Sequence, residues 1–191
     1  MVTELIHNPD RRLGMSGFTL IETMVALTIA LSVMTAVFSA VTTSVQSTSN
    51  ARNTITAFYL AQEAFEYVKN KRDTNGLNGN NWLAGMDSCI GGTPCIPSAS
   101  LDSSTLTFID VDAFSTVDER LYLATGDSGI DNVTFYSHLR SDGLFSGFTR
   151  EIEIEEIETG QEAIVDVTIT FVQSRDGTKR FTFREHMFNI R

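Results

Sequence analysis

From Phe18 to Val45 nearly every position is apolar or a small hydroxyl residue, and Glu22 is the only ionisable group. As a helix this stretch would extend about 42 Å, more than the ~30 Å hydrocarbon core of a bilayer. Thr28, Ser32, Thr35 and Ser39 interrupt it; their hydroxyls can bond back into their own helix, weakening membrane affinity without forbidding insertion. Arg11 and Arg12 precede the run and no Lys or Arg follows until Arg52. That bias predicts a single-pass protein in the cytoplasmic membrane, its N-terminus in the cytoplasm and the remainder outside.

Beyond Val45 the pattern becomes amphipathic. Ala57, Leu60, Ala61, Ala64, Phe65 and Val68 recur at three- and four-residue steps, while Gln62, Glu63, Glu66, Lys69 and Lys71 fall largely elsewhere. This predicts a helix continuing over 46–72, its apolar stripe lying on a sheet. The cluster "DTNGLNGNNW" favours turns and is expected to end the helix near Arg72. From Phe18 such a helix would be roughly 80 Å long. Residues 73–118 carry little periodicity and read as a loop-rich region.

The rest, 119–191, alternates with period two. "RLYLAT", "NVTFYSHL" and "FTREIEIEEI" are strand candidates, and an antiparallel sheet follows, giving an α+β class. The last segment predicts a hairpin in which Val165, Val167, Ile169 and Phe171 share one face and Asp166, Thr168 and Thr170 the other. A two-residue Asp-Gly turn would put Phe181 and Phe183 on the wrong face. A three-residue loop, Arg175-Asp176-Gly177 with Gly177 left-handed, instead aligns Phe171 with Phe181 and Ile169 with Phe183. Glu151, Glu153, Glu155, Glu156 and Glu158 crowd one strand and Lys179, Arg180 and Arg184 the last. As neighbours they would form cross-strand pairs worth a few tenths of a kcal/mol each; a solvated face is the alternative.

Composition narrows the classes. With 191 residues, 42% of them hydrophobic, the chain can bury one core besides an anchor. A formal charge of −10 disfavours nucleic acid as a partner, the basic patch near Lys179 and Arg180 being the one exception. Cys89 and Cys95 are the only cysteines and fall on the predicted extracytoplasmic side, where a disulfide pinning a surface loop is expected. In the chain-entropy picture so small a ring stabilises by about 2 kcal/mol at most. Trp82 could fill the gap under that loop. Neither the cysteine pair, which lacks a nearby His, nor the sets Asp73, Asn75, Asn78 and Asp127, Asp131 has the spacing of a zinc or calcium site; turn formation explains the latter residues. No metal or cofactor is expected.

Catalytic signatures are also missing. His7, His138 and His186 are the only histidines, and Ser137 beside His138 would point to the opposite face of a strand. No phosphate-binding loop, dinucleotide fingerprint or HExxH occurs. The expectation is a protein that is not an enzyme.

Glu22 remains to be explained. An ordinary secretory signal cut near "VFS", a plain anchor and a buried core helix all leave it without a role. A carboxylate within a span costs roughly 2.5–3.5 kcal/mol at the centre, less near an end, and marks a functional position. "GFTLIE" followed by an apolar helix resembles the prepilin signature of type IV pilins and type II secretion pseudopilins. The resemblance implies a type IV pilin-like fold, a leader 1–17, cleavage between Gly17 and Phe18, and N-methylation of Phe18 by a prepilin peptidase/methyltransferase. It implies further that Glu22 attracts the N-terminal amine of a neighbouring subunit during assembly, since a lone anion out of water is penalised and an opposite charge relieves it. "AFYLAQEAFEYVKNKRD" resembles V-type minor pilins and I-type pseudopilins. The closing "EHMFNIR" is similar to the end of V-type minor pilins, with Ile190 where those often carry Trp.

The function expected is therefore that of a minor pilin: a structural filament subunit whose partners are other pilin subunits, the peptidase and an inner-membrane assembly platform. The alternatives are a pseudopilin of a secretion or DNA-uptake machine, and a membrane-anchored binding domain displayed at the surface.

Overall fold

The computed structural model describes residues 17–98, 107–110, 117–126, 133–139, 143–173 and 177–190. Residues 1–16 of the expected leader, Asp127, Asp131, Arg175 and Asp176 lie outside them. The elements are helix α1 (Leu20–Leu77), a 3-10 turn (Asp87–Cys89), and strands β1 (Cys95–Ser98), β2 (Thr107–Asp110), β3 (Val117–Gly126), β4 (Val133–Leu139), β5 (Gly143–Glu158), β6 (Glu162–Gln173) and β7 (Gly177–Phe188). One long N-terminal helix and an antiparallel sheet make the chain an α+β protein. Its contacts divide it into two units between Thr48 and Ser49.

The first unit holds the apolar part of α1. Its described side chains up to Val45 are all exposed, and α1 is long and apolar enough to cross a membrane. The hydroxyls within it are satisfied locally: Thr28 donates to the Val25 carbonyl at 2.8 Å, Ser32 to Thr28 at 2.8 Å and Thr35 to Ser32 at 2.9 Å. The interrupting polar groups are thereby turned back onto the backbone, so the outer surface stays apolar.

In the second unit the remainder of α1 packs on the sheet. Ala57, Leu60, Ala61, Ala64 and Val68 are buried against Ile152, Ile154, Val165, Val167, Ile169 and Phe171, with Phe65 partly buried beside them. The stripe sits where its periodicity placed it. Burying a side chain such as Leu60 or Val68 contributes roughly 1.5–3 kcal/mol, and the alanines between them bring the helix close.

The helix runs past the expected end to Leu77. Asn75 explains this. Its buried side-chain amide donates to the carbonyls of Trp82 (3.1 Å) and Ala84 (2.8 Å), holding the following turn against the last helical turn. Tertiary bonds override the turn preference of the local sequence. The region 73–118, expected as loop, also contains the 3-10 turn, β1, β2 and the start of β3.

Strand β5 is the hub of the sheet. Its first half pairs with β3, its second half with β6, and Ile152 pairs with Cys95 at the start of β1. β4 pairs with β3, and β2 with β1. The β3–β5 register shifts between Arg120 and Tyr122, near Gly147 at φ 89°, a backbone state that favours glycine. After this irregularity Phe148, Arg150, Ile152 and Ile154 all face inward.

The β6–β7 hairpin corrects the expected register. Gln173 pairs with Gly177, so Phe171 faces Lys179, Ile169 faces Phe181 and Val167 faces Phe183. Each partner is displaced by two residues from the alignment read off the sequence. A slip of two preserves side-chain parity, so Phe181 and Phe183 still share the face of Ile169, and Phe181 stacks on Phe171 diagonally at 5.9 Å. Gly177 is left-handed at φ 73°, as expected. The charged strands are not direct neighbours, because β6 separates β5 from β7. Arg184 forks onto Asp166 of β6 (2.8 and 2.6 Å), whereas Arg180 reaches past β6 to Glu151 at 3.2 Å.

Cys89 and Cys95 form a disulfide. It closes a short loop exposed at its tip, and its anchor lies deeper than the surface. Both cysteines are fully buried in the core, with the exposed tip Gly91–Thr93 between them. Ile90 bridges to Ile154 and Cys95 pairs with Ile152, so the small ring clips the 3-10 turn and β1 onto the same part of β5. Trp82 is buried in that core, its indole N–H without an acceptor among the described residues.

Candidate functional site

Two places combine charge with unusual surroundings: the start of α1, and a polar cluster between α1 and the sheet in the second unit.

At the start of α1, Thr19 acts as the cap. The Glu22 amide donates to the Thr19 carbonyl at 3.1 Å and to its Oγ1 at 3.3 Å, and the Thr23 amide to the same carbonyl at 3.2 Å. Glu22 thus lies in the first turn, where the helix dipole favours an anion. The Thr-x-x-Glu spacing, a capping-box signature, is the sequence signal for this arrangement, and a reading centred on charge passes over it. The cap uses the Glu22 backbone. Its carboxylate is exposed, with no hydrogen-bond or ion-pair partner among the described residues. Around it Phe18, Leu20 and Ile21 are 80%, 78% and 71% exposed. Gly17 is required by no contact of the fold, since an added Cβ would meet nothing within 4 Å. The structure therefore brings Gly17, Phe18 and Glu22 together at one exposed, apolar helix start.

The polar cluster escaped the sequence reading. Arg150 is 1% exposed. Its Nη1 donates to Glu63 Oε2 at 2.7 Å and to the Leu60 carbonyl at 3.2 Å, and its Nε donates to His138 Nε2 at 3.2 Å. The guanidinium lies 5.5 Å from the centre of the Tyr67 ring, whose hydroxyl donates to Glu63 Oε1 at 2.8 Å. Because Arg150 can only donate, the His138 nitrogen facing it must accept. Burial, then the nearby Glu63 charge and the hydrogen bond to it, push the Tyr67 phenol up to about 12. A guanidinium is tolerated here because a carboxylate, a carbonyl, an imidazole and an aromatic face surround it. The arrangement latches α1 to β4 and β5.

Within it the His138 imidazole accepts from a buried arginine, and the neighbouring Ser137 Oγ accepts from the Leu139 amide at 3.0 Å. His186 is on the surface, 2.6 Å from Glu162. Among the described residues no group of three or more His, Cys, Asp or Glu is placed to hold a metal ion. Asp73 is engaged by Arg72 at 2.7 Å, and Asn75 offers its amide hydrogens rather than an oxygen to its neighbours.

Compared with family models, with curated proteins and with solved structures, the chain matches none.

Proposed function

We propose that this chain is a non-catalytic subunit of a type IV pilus-like filament, cut between Gly17 and Phe18, N-methylated at Phe18 and inserted in the cytoplasmic membrane by its N-terminal helix. Extraction into a filament buries that helix among those of other subunits. The peptidase and an inner-membrane assembly platform are its partners in transit. One observation carries the reading: a carboxylate sits unpartnered in the first turn of a helix whose apolar surface the described chain leaves uncovered. A helix apolar all round needs lipid or protein around it, and a carboxylate at its edge needs a cation. A new amino terminus at Phe18 of another copy supplies one. Gly17 supports the cut site from the other direction, because nothing in the fold asks for glycine there.

The test is the mass of the mature N-terminal peptide. Protein purified from its own host is expected to begin at Phe18 and to carry one added methyl group. A chain still beginning at Met1, or one cut near Ser39 or Ala40, would exclude assembly by this route.

A further inference from the structure

We propose that the polar latch between α1 and the sheet is acid-sensitive: it holds while the His138 imidazole is neutral and weakens when that ring takes a proton. The inference stands apart from the filament reading, because every group it uses lies within the second unit.

The geometry leaves no room for that proton. Arg150 Nε donates to His138 Nε2 at 3.2 Å, so this nitrogen presents a lone pair and carries no hydrogen. A proton placed on it would set one N–H against another and an imidazolium against a guanidinium. Both side chains are buried, His138 being 3% and Arg150 1% exposed, so water screens the repulsion poorly. Arg150 is also held in place. Its Nη1 donates to Glu63 Oε2 at 2.7 Å and to the Leu60 carbonyl at 3.2 Å, and its guanidinium lies over the Tyr67 ring. Because Arg150 ties Leu60 and Glu63 of α1 to His138 of β4, loosening this contact weakens the seat of the helix on the sheet.

The other titratable groups near the ring do not offset this. From α1, Glu63 has Oε2 on Arg150 and Oε1 accepting from the Tyr67 hydroxyl. Tyr136, on β4 itself, packs its ring on Phe148. Asp118, Glu119 and Arg120 of β3 pass His138 in the register shift between the Val117–Leu139 and Tyr122–Ser137 pairs. They carry both signs and partly cancel, whereas Arg150 presents a full charge in direct contact.

The direction in pH follows. In the unfolded chain an imidazole takes its proton near pH 6.5. The folded chain refuses it, so the unfolded state binds more protons and stability falls with falling pH. The contribution is complete above about pH 6.5, and the folding constant drops about tenfold for each pH unit below it.

The experiment unfolds the detergent-solubilised full chain in urea at about pH 7.5 and about pH 5.5, read by Trp82 fluorescence, beside the variant His138→Gln. The glutamine oxygen accepts from Arg150 but takes no proton. The carboxylates and His186 titrate in both chains, so their effects cancel in the comparison. Over this interval the wild type is expected to lose about tenfold more of its folding constant than the variant. Equal losses in the two chains would overturn the inference. Nitrogen-15 NMR of the wild-type imidazoles decides the matter even where the variant does not fold. His138 Nε2 is expected to stay without a proton in the folded chain at about pH 5.5. A protonated His138 in the intact fold at that pH would overturn the inference as well.

Discussion

Glu22→Ala is expected to leave the chain in the membrane and to remove it from filaments. Insertion should not suffer, because the change deletes a carboxylate whose burial opposes it by up to roughly 3 kcal/mol. Assembly should suffer heavily. At an effective dielectric of 20, two unit charges about 4 Å apart attract by about 4 kcal/mol. Losing even two-thirds of that lowers incorporation about a hundredfold. The cap does not confound the result, since Thr19 accepts from the Glu22 backbone amide and not from the side chain. Membrane fractionation and immunoblotting of sheared filaments read the two effects separately. Normal incorporation of the variant would remove the role given to Glu22.

The second large effect is expected at the polar latch, and it is asymmetric. Glu63→Ala leaves the Arg150 guanidinium, 1% exposed, with a carbonyl, an imidazole nitrogen and a ring face but no anion. Stranding a buried charge costs about 3–5 kcal/mol. Because the Glu63 side chain is 38% exposed, water can enter where it was, and the lower end of that range is expected. Arg150→Met instead removes the ion that needs solvation. Glu63 rehydrates, His138 and Leu60 lose a donor, and the cost is about 1–2 kcal/mol. Trp82, the only tryptophan and buried, reports unfolding of the detergent-solubilised chain by its fluorescence. A larger loss for Arg150→Met than for Glu63→Ala would contradict the latch. The pH dependence has a definite sign. Tyr67 has a folded pKa of about 12 against 10.0 for the free side chain. Its neutral form therefore favours the fold fully below pH 10, and that contribution is lost as pH rises through 12. Tyr67→Phe should flatten this alkaline loss.

How much of this could be read from the chain depended on whether periodicity or long-range contact decides. The stripe from Ala57 to Val68 and the strands of the C-terminal half follow from local pattern, and so does the parity of the last hairpin. Its absolute register does not, because two alignments differing by two residues bury the same side chains. The helix end at Leu77 depends on Asn75 reaching Trp82 and Ala84, contacts that no local turn preference encodes. Likewise the depth of Cys89 and Cys95 depends on their docking against β5. Arg150 was within reach: it falls in phase with Phe148, Ile152 and Ile154, the inward positions of β5. A charge in that phase calls for a buried counterion, and Glu63 supplies it from the helix. At the start of α1 the residues Gly17, Phe18 and Glu22 were legible because one carboxylate in a long apolar run has no local explanation.

That carboxylate can be tested where it matters, in the assembled state. Zero-length carbodiimide coupling of intact filaments, followed by peptide mass spectrometry, is expected to yield an amide joining Glu22 of one copy to the Phe18 amino terminus of another. Filaments in which Glu22 couples only to an added soluble amine would place that acid in water, away from any subunit's amino end, and would contradict the account.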